Sequence, residues 1–344
     1  MKFESDIDKT ALLEKIRREY GTDAVRLTFV PKGEVSYCYI VDCSKNERYF
    51  LKLFDNSRLA RISVSRLDFY LPLTWNLHFK GLLPNVPYPV KTRDDSFTTN
   101  FGDWLLVLSN FIDGELIGCD SPLSDDLLIK LARLVGVLHR STSEIGIEFS
   151  HVEQFGIPFE SDLINGLDAL ERVTERDSKG KQALRELLLP RRDDIFGYLK
   201  RLRELQKLAR AVGKEKVLCH TDLHGDNLIM DTHGNLHILD WEGAMLAPPE
   251  HDLFFFAWED RFLDVFLPNY RREFGPVNLD SSVFGFYYYR RNLEDLTDWI
   301  VRILYENTDD EQDRIDLEGI VEDCVEGWPY LEPTIKNIDA KLKA

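Results

Sequence analysis

Apolar residues fall at Leu12, Leu13, Ile16 and Tyr20, with polar residues between them and Gly21 directly after. That spacing predicts a helix over Asp8 to Tyr20, ended by the glycine. The period then shortens. Arg26–Val30, Tyr37–Asp42 and Arg48–Phe54 read as strands, separated by the turn residues Pro31-Lys32-Gly33-Glu34 and Ser44-Lys45-Asn46. A longer helix is predicted from Ser57 to Lys80, with Pro72 as a kink or early break. Two further strands are expected at Pro87–Val90 and Trp104–Leu108. These elements give an α+β N-terminal lobe of antiparallel strands with a helix inserted. Past Phe111-Ile112-Asp113-Gly114 the pattern turns helical: Ser124 to Arg140 carries Leu127, Leu128, Leu131, Leu134, Val135 and Leu138 on one side. Residues 160–211 are largely helical and charged, a short hairpin is predicted over Asn227–Asp240, and most of the rest reads as helix. The expected division is 1–112 and 113–344.

Length agrees with this division, since 344 residues exceed the usual size of one core. A hydrophobic share of 44% and a charged share of 30% are those of a globular protein. The first residues, MKFESDIDKT, lack an apolar signal region, and no apolar run approaches the roughly 20 residues that span a bilayer. Cys38, Cys43, Cys119, Cys219 and Cys324 form no C-x-x-C pair, which predicts reduced thiols, no zinc site and a cytoplasmic protein. The net charge of −17 argues against a nucleic-acid partner. From Glu242 onward there are 23 acids against 10 bases. This is either a solvated acidic face or a field that gathers a cationic substrate.

The chemistry concentrates in Val217-Leu-Cys-His-Thr-Asp-Leu-His-Gly-Asp-Asn-Leu-Ile-Met230. Two apolar strands flank a loop so rich in His, Asp and Asn that packing alone does not explain it. His220, Asp222 and Asn227 have the H-x-D-x-x-x-x-N spacing of a kinase catalytic loop, and the strand Leu236–Leu239 then ends in Asp240-Trp241-Glu242. Phosphoryl transfer needs a hard cation held by oxygen ligands, and a hairpin would bring Asn227 and Asp240 to one end. Asp222 would accept a hydrogen bond from the attacking hydroxyl. His220 is read as a brace for the loop backbone, and His224 as a loop-ordering residue. Zinc binding by the two histidines is disfavoured without an H-E-x-x-H helix.

His220–Asn227 together with Ile238-Leu-Asp-Trp-Glu-Gly-Ala244 resembles the aminoglycoside phosphotransferase and choline kinase group, and Val217–Leu253 looks most like its spectinomycin phosphotransferase branch. The resemblance implies a bilobal protein-kinase-like fold, with a nucleotide-binding lobe up to residue 112 and a catalytic and acceptor-binding lobe beyond. It implies Mg2+ held by Asn227 and Asp240, ATP or GTP as donor, and Asp222 as the catalytic residue. It implies Lys52, inside the third strand, on the nucleotide phosphates, with an acidic partner on the next helix. No glutamate occurs between Arg48 and Gly102, so Asp68 is the expected substitute. Gly33 and Ser36 stand in a sparse phosphate loop, Asn110, Phe111 and Ile112 form the hinge for adenine, and Asp252 braces the catalytic loop from a helix start.

The acceptor is expected to be a small, cationic, hydroxylated molecule of the aminoglycoside or aminocyclitol type. Glu259, Asp260, Glu294, Asp295 and Asp298 are the candidate amine contacts, about two of them facing the site. Tyr287, Tyr288, Tyr289 and Trp299 either stack on a ligand or pack in the core. Two alternatives share the motifs: a metabolic kinase for choline, homoserine or a sugar, and a catalytically silent nucleotide-binding relative.

Overall fold

The structure is a computed structural model that describes residues 4–31, 33, 35–118, 123–213 and 215–343. Cys119, Lys32 and Glu34 lie outside the described residues. Helix α1 (Lys9–Tyr20) starts where the Asp8 carboxylate accepts the backbone N–H of Thr10 and Ala11 at 2.9 and 3.0 Å. It stops at Gly21, whose φ of 69° suits a residue without a Cβ. Strands β1 (Ala24–Val30), β2 (Tyr37–Cys43) and β3 (Arg48–Phe54) follow, then α2 (Arg58–Val64), α3 (Leu67–Phe79), β4 (Thr98–Phe101) and β5 (Trp104–Asn110). The five strands form one antiparallel sheet in the order β1-β2-β3-β5-β4. Leu12, Ile16 and Tyr20 of α1 pack with Leu51, Leu53, Leu106 and Leu108 on one face of it. Truncating a fully buried leucine such as Leu51 to alanine would cost about 2–5 kcal/mol.

The predicted helix over 57–80 is in fact two helices. The break falls at Ser65-Arg66, where the Ser65 hydroxyl donates to the Ile62 carbonyl at 2.6 Å, and Pro72 lies inside α3. Pro87–Val90 is not a strand but a single bridge, Pro89 to Ser109, because Pro87 and Pro89 have no N–H to offer a ladder. The edge strand β4, short and polar, had no apolar signal to announce it.

Next come β6 (Gly114–Leu116), α4 (Asp125–Arg140, capped by Ser124), α5 (Glu160–Leu170), α6 (Lys179–Leu188) and α7 (Arg192–Val212). Strands β7 (Val217–Cys219), β8 (Leu228–Asp231) and β9 (Leu236–Ile238) precede α8 (Glu250–Ala257), α9 (Leu267–Phe274), α10 (Ser281–Val301), α11 (Asp310–Gly319) and α12 (Trp328–Lys343). The fold is α+β, an antiparallel sheet followed by a mainly helical part.

Two compact units arise, each assembled from separate stretches. The first takes the chain up to His151 with Val217–Leu246 and Val265–Gly275; the second takes Val152–Lys216, Ala247–Asp264 and the chain from Pro276. The five-stranded sheet ends at Asn110, and the first unit carries on past it. Its β6 pairs with β8, and α4 packs on α9, where His139 Nδ1 meets the Tyr270 hydroxyl at 2.8 Å in a buried contact. The second unit packs α10 against α5, α7, α8 and α12, with Phe284, Phe286, Tyr287 and Tyr289 buried. Among the described residues no helix is long and apolar enough to cross a membrane.

Candidate active site

Strand alternation decides where Lys52 points. Leu51 and Leu53 face α1, so Lys52 faces the opposite side of the sheet, with Cys38 of β2 and Val107 of β5 directly across from it in register. On that side lies the loop after β7. His220 is fully buried; its Nε2 is 2.6 Å from the Leu239 carbonyl, and its Nδ1 is 3.3 Å from the Asp222 N–H. These contacts fix the tautomer, with Nε2–H donating and Nδ1 accepting. The ring therefore ties the start of the loop to the residue that follows β9. Thr221 sits at φ 77°, an uncommon conformation for a β-branched residue. Its hydroxyl donates to the Gly243 carbonyl at 3.1 Å, which holds the strained residue beside Asp222.

Asn227 is buried, and its amide nitrogen donates to the Asp222 carbonyl and carboxylate, both at 2.9 Å, and contacts His224 Nε2 at 3.0 Å. His224 in turn lies 3.3 Å from the Asp222 carboxylate. The Asn227 side-chain oxygen is the atom left to bind something else. The Leu239 N–H donates to the Asn227 carbonyl at 2.8 Å, so the hairpin places Asp240 one residue beyond that bond. Asp240 adopts a left-handed conformation at φ 56°, which swings the chain into the turn Trp241–Gly243. Trp241 anchors this turn through its indole N–H on the Ile238 carbonyl at 2.9 Å.

Lys52 Nζ lies 2.5 Å from Asp240 Oδ1 and 2.8 Å from Glu242 Oε1. Burial alone would push the ammonium down, but Asp240 and Glu242 together hold it well above the ordinary lysine value. Lys52 keeps the Asp240 carboxyl below its usual range against the opposing effect of burial. Glu242 moves the other way, because burial raises it more than Lys52 lowers it. Two carboxylates, Asp240 and Glu242, thus meet one lysine, while the Asp222 carboxylate is bonded to Asn227. The Asp240 carboxylate and the Asn227 side-chain oxygen, flanking the two strands of one hairpin, are hard donors of the kind that suits a divalent cation such as magnesium.

Other expectations met different fates. Asp68 is not the acidic partner of Lys52: it lies exposed on α3, and the carboxylates at the ammonium are those of Asp240 and Glu242. Glu242 was legible only as part of a motif, and nothing in its spacing announced the pair. Gly33 has a φ of 108°, and the hydroxyl of the buried Ser36 rests 3.5 Å from Cys38 Sγ. Asn110 ends β5, with its side-chain oxygen accepting the Tyr88 N–H at 2.7 Å; Phe111 and Ile112 lie in the irregular stretch before β6. The Arg48 guanidinium stacks 4.3 Å over the Phe111 ring and pairs with Asp113 at 2.6 Å.

Asp252 is fully buried in the first turn of α8, in the second unit. The five acids proposed for the acceptor also belong to that unit. Glu259 lies 3.8 Å from Arg261, Glu294 3.6 Å from Arg290 and Asp295 2.8 Å from Arg291, while Asp260 and Asp298 are exposed. Tyr287 and Tyr289 are core residues, and the Tyr288 hydroxyl donates to the Phe254 carbonyl at 2.6 Å. The reading missed Glu153, buried and paired with Arg290 at 2.7 Å, and the stack of His251 on Tyr287 at 4.0 Å. Neither pair forms a local sequence motif.

Structural comparison finds the same fold in the spectinomycin phosphotransferase solved with ADP and spectinomycin, at a TM-score of 0.75, 18% identity and coverage of 99% of this chain and 100% of that one. Choline kinase from Cryptosporidium parvum is similar at a TM-score of 0.57, 14% identity, 98% of this chain and all of that one. Among curated proteins, Protein StrN of Streptomyces griseus is 28% identical over 174 residues, 48% of this chain and 52% of that protein. The match thus spans about half the length of that relative. The model of the phosphotransferase enzyme family matches residues 27–306, which include β2, β3, the catalytic-loop candidate and the hairpin. The chain belongs to the phosphotransferase enzyme family.

Proposed function

We propose that this protein transfers the γ-phosphoryl of ATP or GTP, with a divalent cation, to a hydroxyl of a small molecule of the aminoglycoside or aminocyclitol type. The observation that carries the reading is that Lys52 meets Asp240 and Asn227 holds Asp222 within one compact unit, the two pairs joined by the Leu239 N–H on the Asn227 carbonyl. Lys52 would hold the nucleotide phosphates once Asp240 turns to the cation. Asn227 and Asp240 would hold magnesium, which when bound neutralises charge on the phosphate oxygens. Asp222, kept in place by Asn227, His220 and the strained Thr221, would orient the acceptor hydroxyl and take its proton late in the transfer. The lobe up to residue 112 would carry the nucleotide, with adenine against Asn110, Phe111 and Ile112.

A cationic acceptor agrees with the surplus of acids beyond Glu242. Three of the five candidate acids, Glu259, Glu294 and Asp295, are turned toward arginines. The buried free thiols Cys38, Cys43, Cys219 and Cys324 agree with a reducing cytoplasm. An ADP-release screen over spectinomycin, aminoglycosides, choline, homoserine and sugars, with Mg·ATP and Mg·GTP, tests the reading. Acceptor-stimulated ADP release with an aminocyclitol or aminoglycoside is the expected result. Stimulation by choline, homoserine or a sugar alone would overturn the acceptor class, and no nucleotide turnover under any condition would overturn the reaction.

A further inference from the structure

Helix α3 lacks a glutamate for Lys52, yet the ammonium is not short of a carboxylate partner. Glu242 comes to it from the turn after β9. Two residues of α3 meet Glu242. The hydroxyl of buried Tyr70 lies 3.4 Å from Glu242 Oε1, and an Arg66 N–H donates to the Glu242 backbone carbonyl at 3.2 Å. Residues four apart share a helix face, so Arg66 and Tyr70 point the same way, while Asp68 between them is turned to solvent. Lys52 also touches Asp240, but Asp240 is nearly half exposed and is the residue proposed to turn to a cation. Glu242, with its side chain 22% exposed, is the carboxylate that would stay with the lysine when Asp240 leaves.

We propose that Glu242 is the positioning residue for Lys52, supplied by the turn after the β8–β9 hairpin in place of a helix acid, and that Tyr70 and Arg66 fix it there. The inference rests on the phosphotransfer reading, because a fixed Lys52 matters only if nucleotide phosphates come to it. The arrangement couples three elements. Strand β3 brings the lysine, the turn brings the acid, and α3 closes on the acid with a hydroxyl and a guanidinium. A shift of α3 would therefore loosen Lys52 without touching it directly.

The test is a double-mutant cycle read on acceptor-independent Mg·ATP hydrolysis, so that the identity of the acceptor does not enter. Glu242→Gln in the otherwise native protein should lower kcat/KM for ATP by roughly tenfold or more, and in a Lys52→Met background by less than about twofold. Tyr70→Phe removes one hydroxyl and should cost a few-fold, an effect that disappears when Glu242 is already glutamine. Thermal unfolding of each variant shows that it is folded; if Glu242→Gln does not fold, the Tyr70→Phe pair against Lys52→Met carries the test. A full-sized Glu242→Gln effect that persists without Lys52 would overturn the assignment and make Glu242 a ligand of the cation instead. Wild-type hydrolysis abolished by Asp222→Ala, together with additive Glu242 and Lys52 effects, would leave the phosphotransfer reading standing and remove this one. No ADP release from the wild type, with or without any acceptor, would remove both.

Discussion

Lys52 shows what a single residue can and cannot reveal. A lysine inside Tyr-Phe-Leu-Lys-Leu-Phe is legible as a buried cation that needs anions, because an unpaired charge there would be expensive. Which anions it meets was not legible, since Asp240 and Glu242 lie nearly two hundred residues away in sequence and only the fold unites them. The nearer Asp68 was the plausible choice by position and is turned outward by helix phase. His220 is the opposite case, because its place two residues before Asp222 already spoke for a brace. Replacing it with alanine would leave the half-buried Leu239 carbonyl without its donor, at a cost of about 1 kcal/mol or more. His220→Ala should therefore lower the thermal midpoint and reduce kcat together, and a kcat loss with unchanged stability would contradict the bracing role.

At the level of elements, the hairpin that carries the site was legible, and its reinforcement was not. The Asp231 carboxylate is held below the ordinary range first by the Asn235 amide, and then by His237 and the backbone N–H groups of Asn235 and His233. A carboxyl lowered on folding contributes stability above its unfolded value of about 4, and that contribution is lost as pH falls through the lower folded value. Asp231→Ala should thus be less stable than the native protein at pH 7, with the gap shrinking below about pH 4. Denaturant midpoints across that range check the sign. Strand β6 seats on β8 only because residue 114 is glycine: a Cβ there would overlap the Met230 carbonyl and Ile229. Gly114→Ala should cost about 1–3 kcal/mol in chemical unfolding. The helix break at Ser65-Arg66 and the polar edge strand β4 escaped the sequence reading for one reason. Neither changes the apolar period, and both depend on contacts made after folding.

For the whole molecule, the change from a strand-rich part up to Asn110 to a mainly helical part from Asp125 was legible from periodicity, while the grouping into two discontinuous compact units follows from long-range pairing. The second unit depends on buried polar contacts that no motif reports. Asp313 and Asp316 both accept from the Asn307 amide at 2.9 Å, and Asp316 also pairs with Arg302 at 2.8 Å. Gly180 of α6 approaches the Asp313 carboxylate so closely that a Cβ would overlap it. Gly180→Ala gains about 1 kcal/mol of helix propensity but overpacks this site by about 1–3 kcal/mol, so net destabilisation is expected by calorimetry. The central claim concerns the first unit and is tested most directly by its product. 31P NMR of the protein with Mg·ATP and an aminocyclitol or aminoglycoside should show a phosphomonoester of the acceptor growing as ADP appears. Asp222→Ala should slow that signal by roughly a hundredfold or more. A native-like rate from Asp222→Ala, or ADP release that never yields a phosphomonoester with any hydroxylated acceptor, would contradict the account.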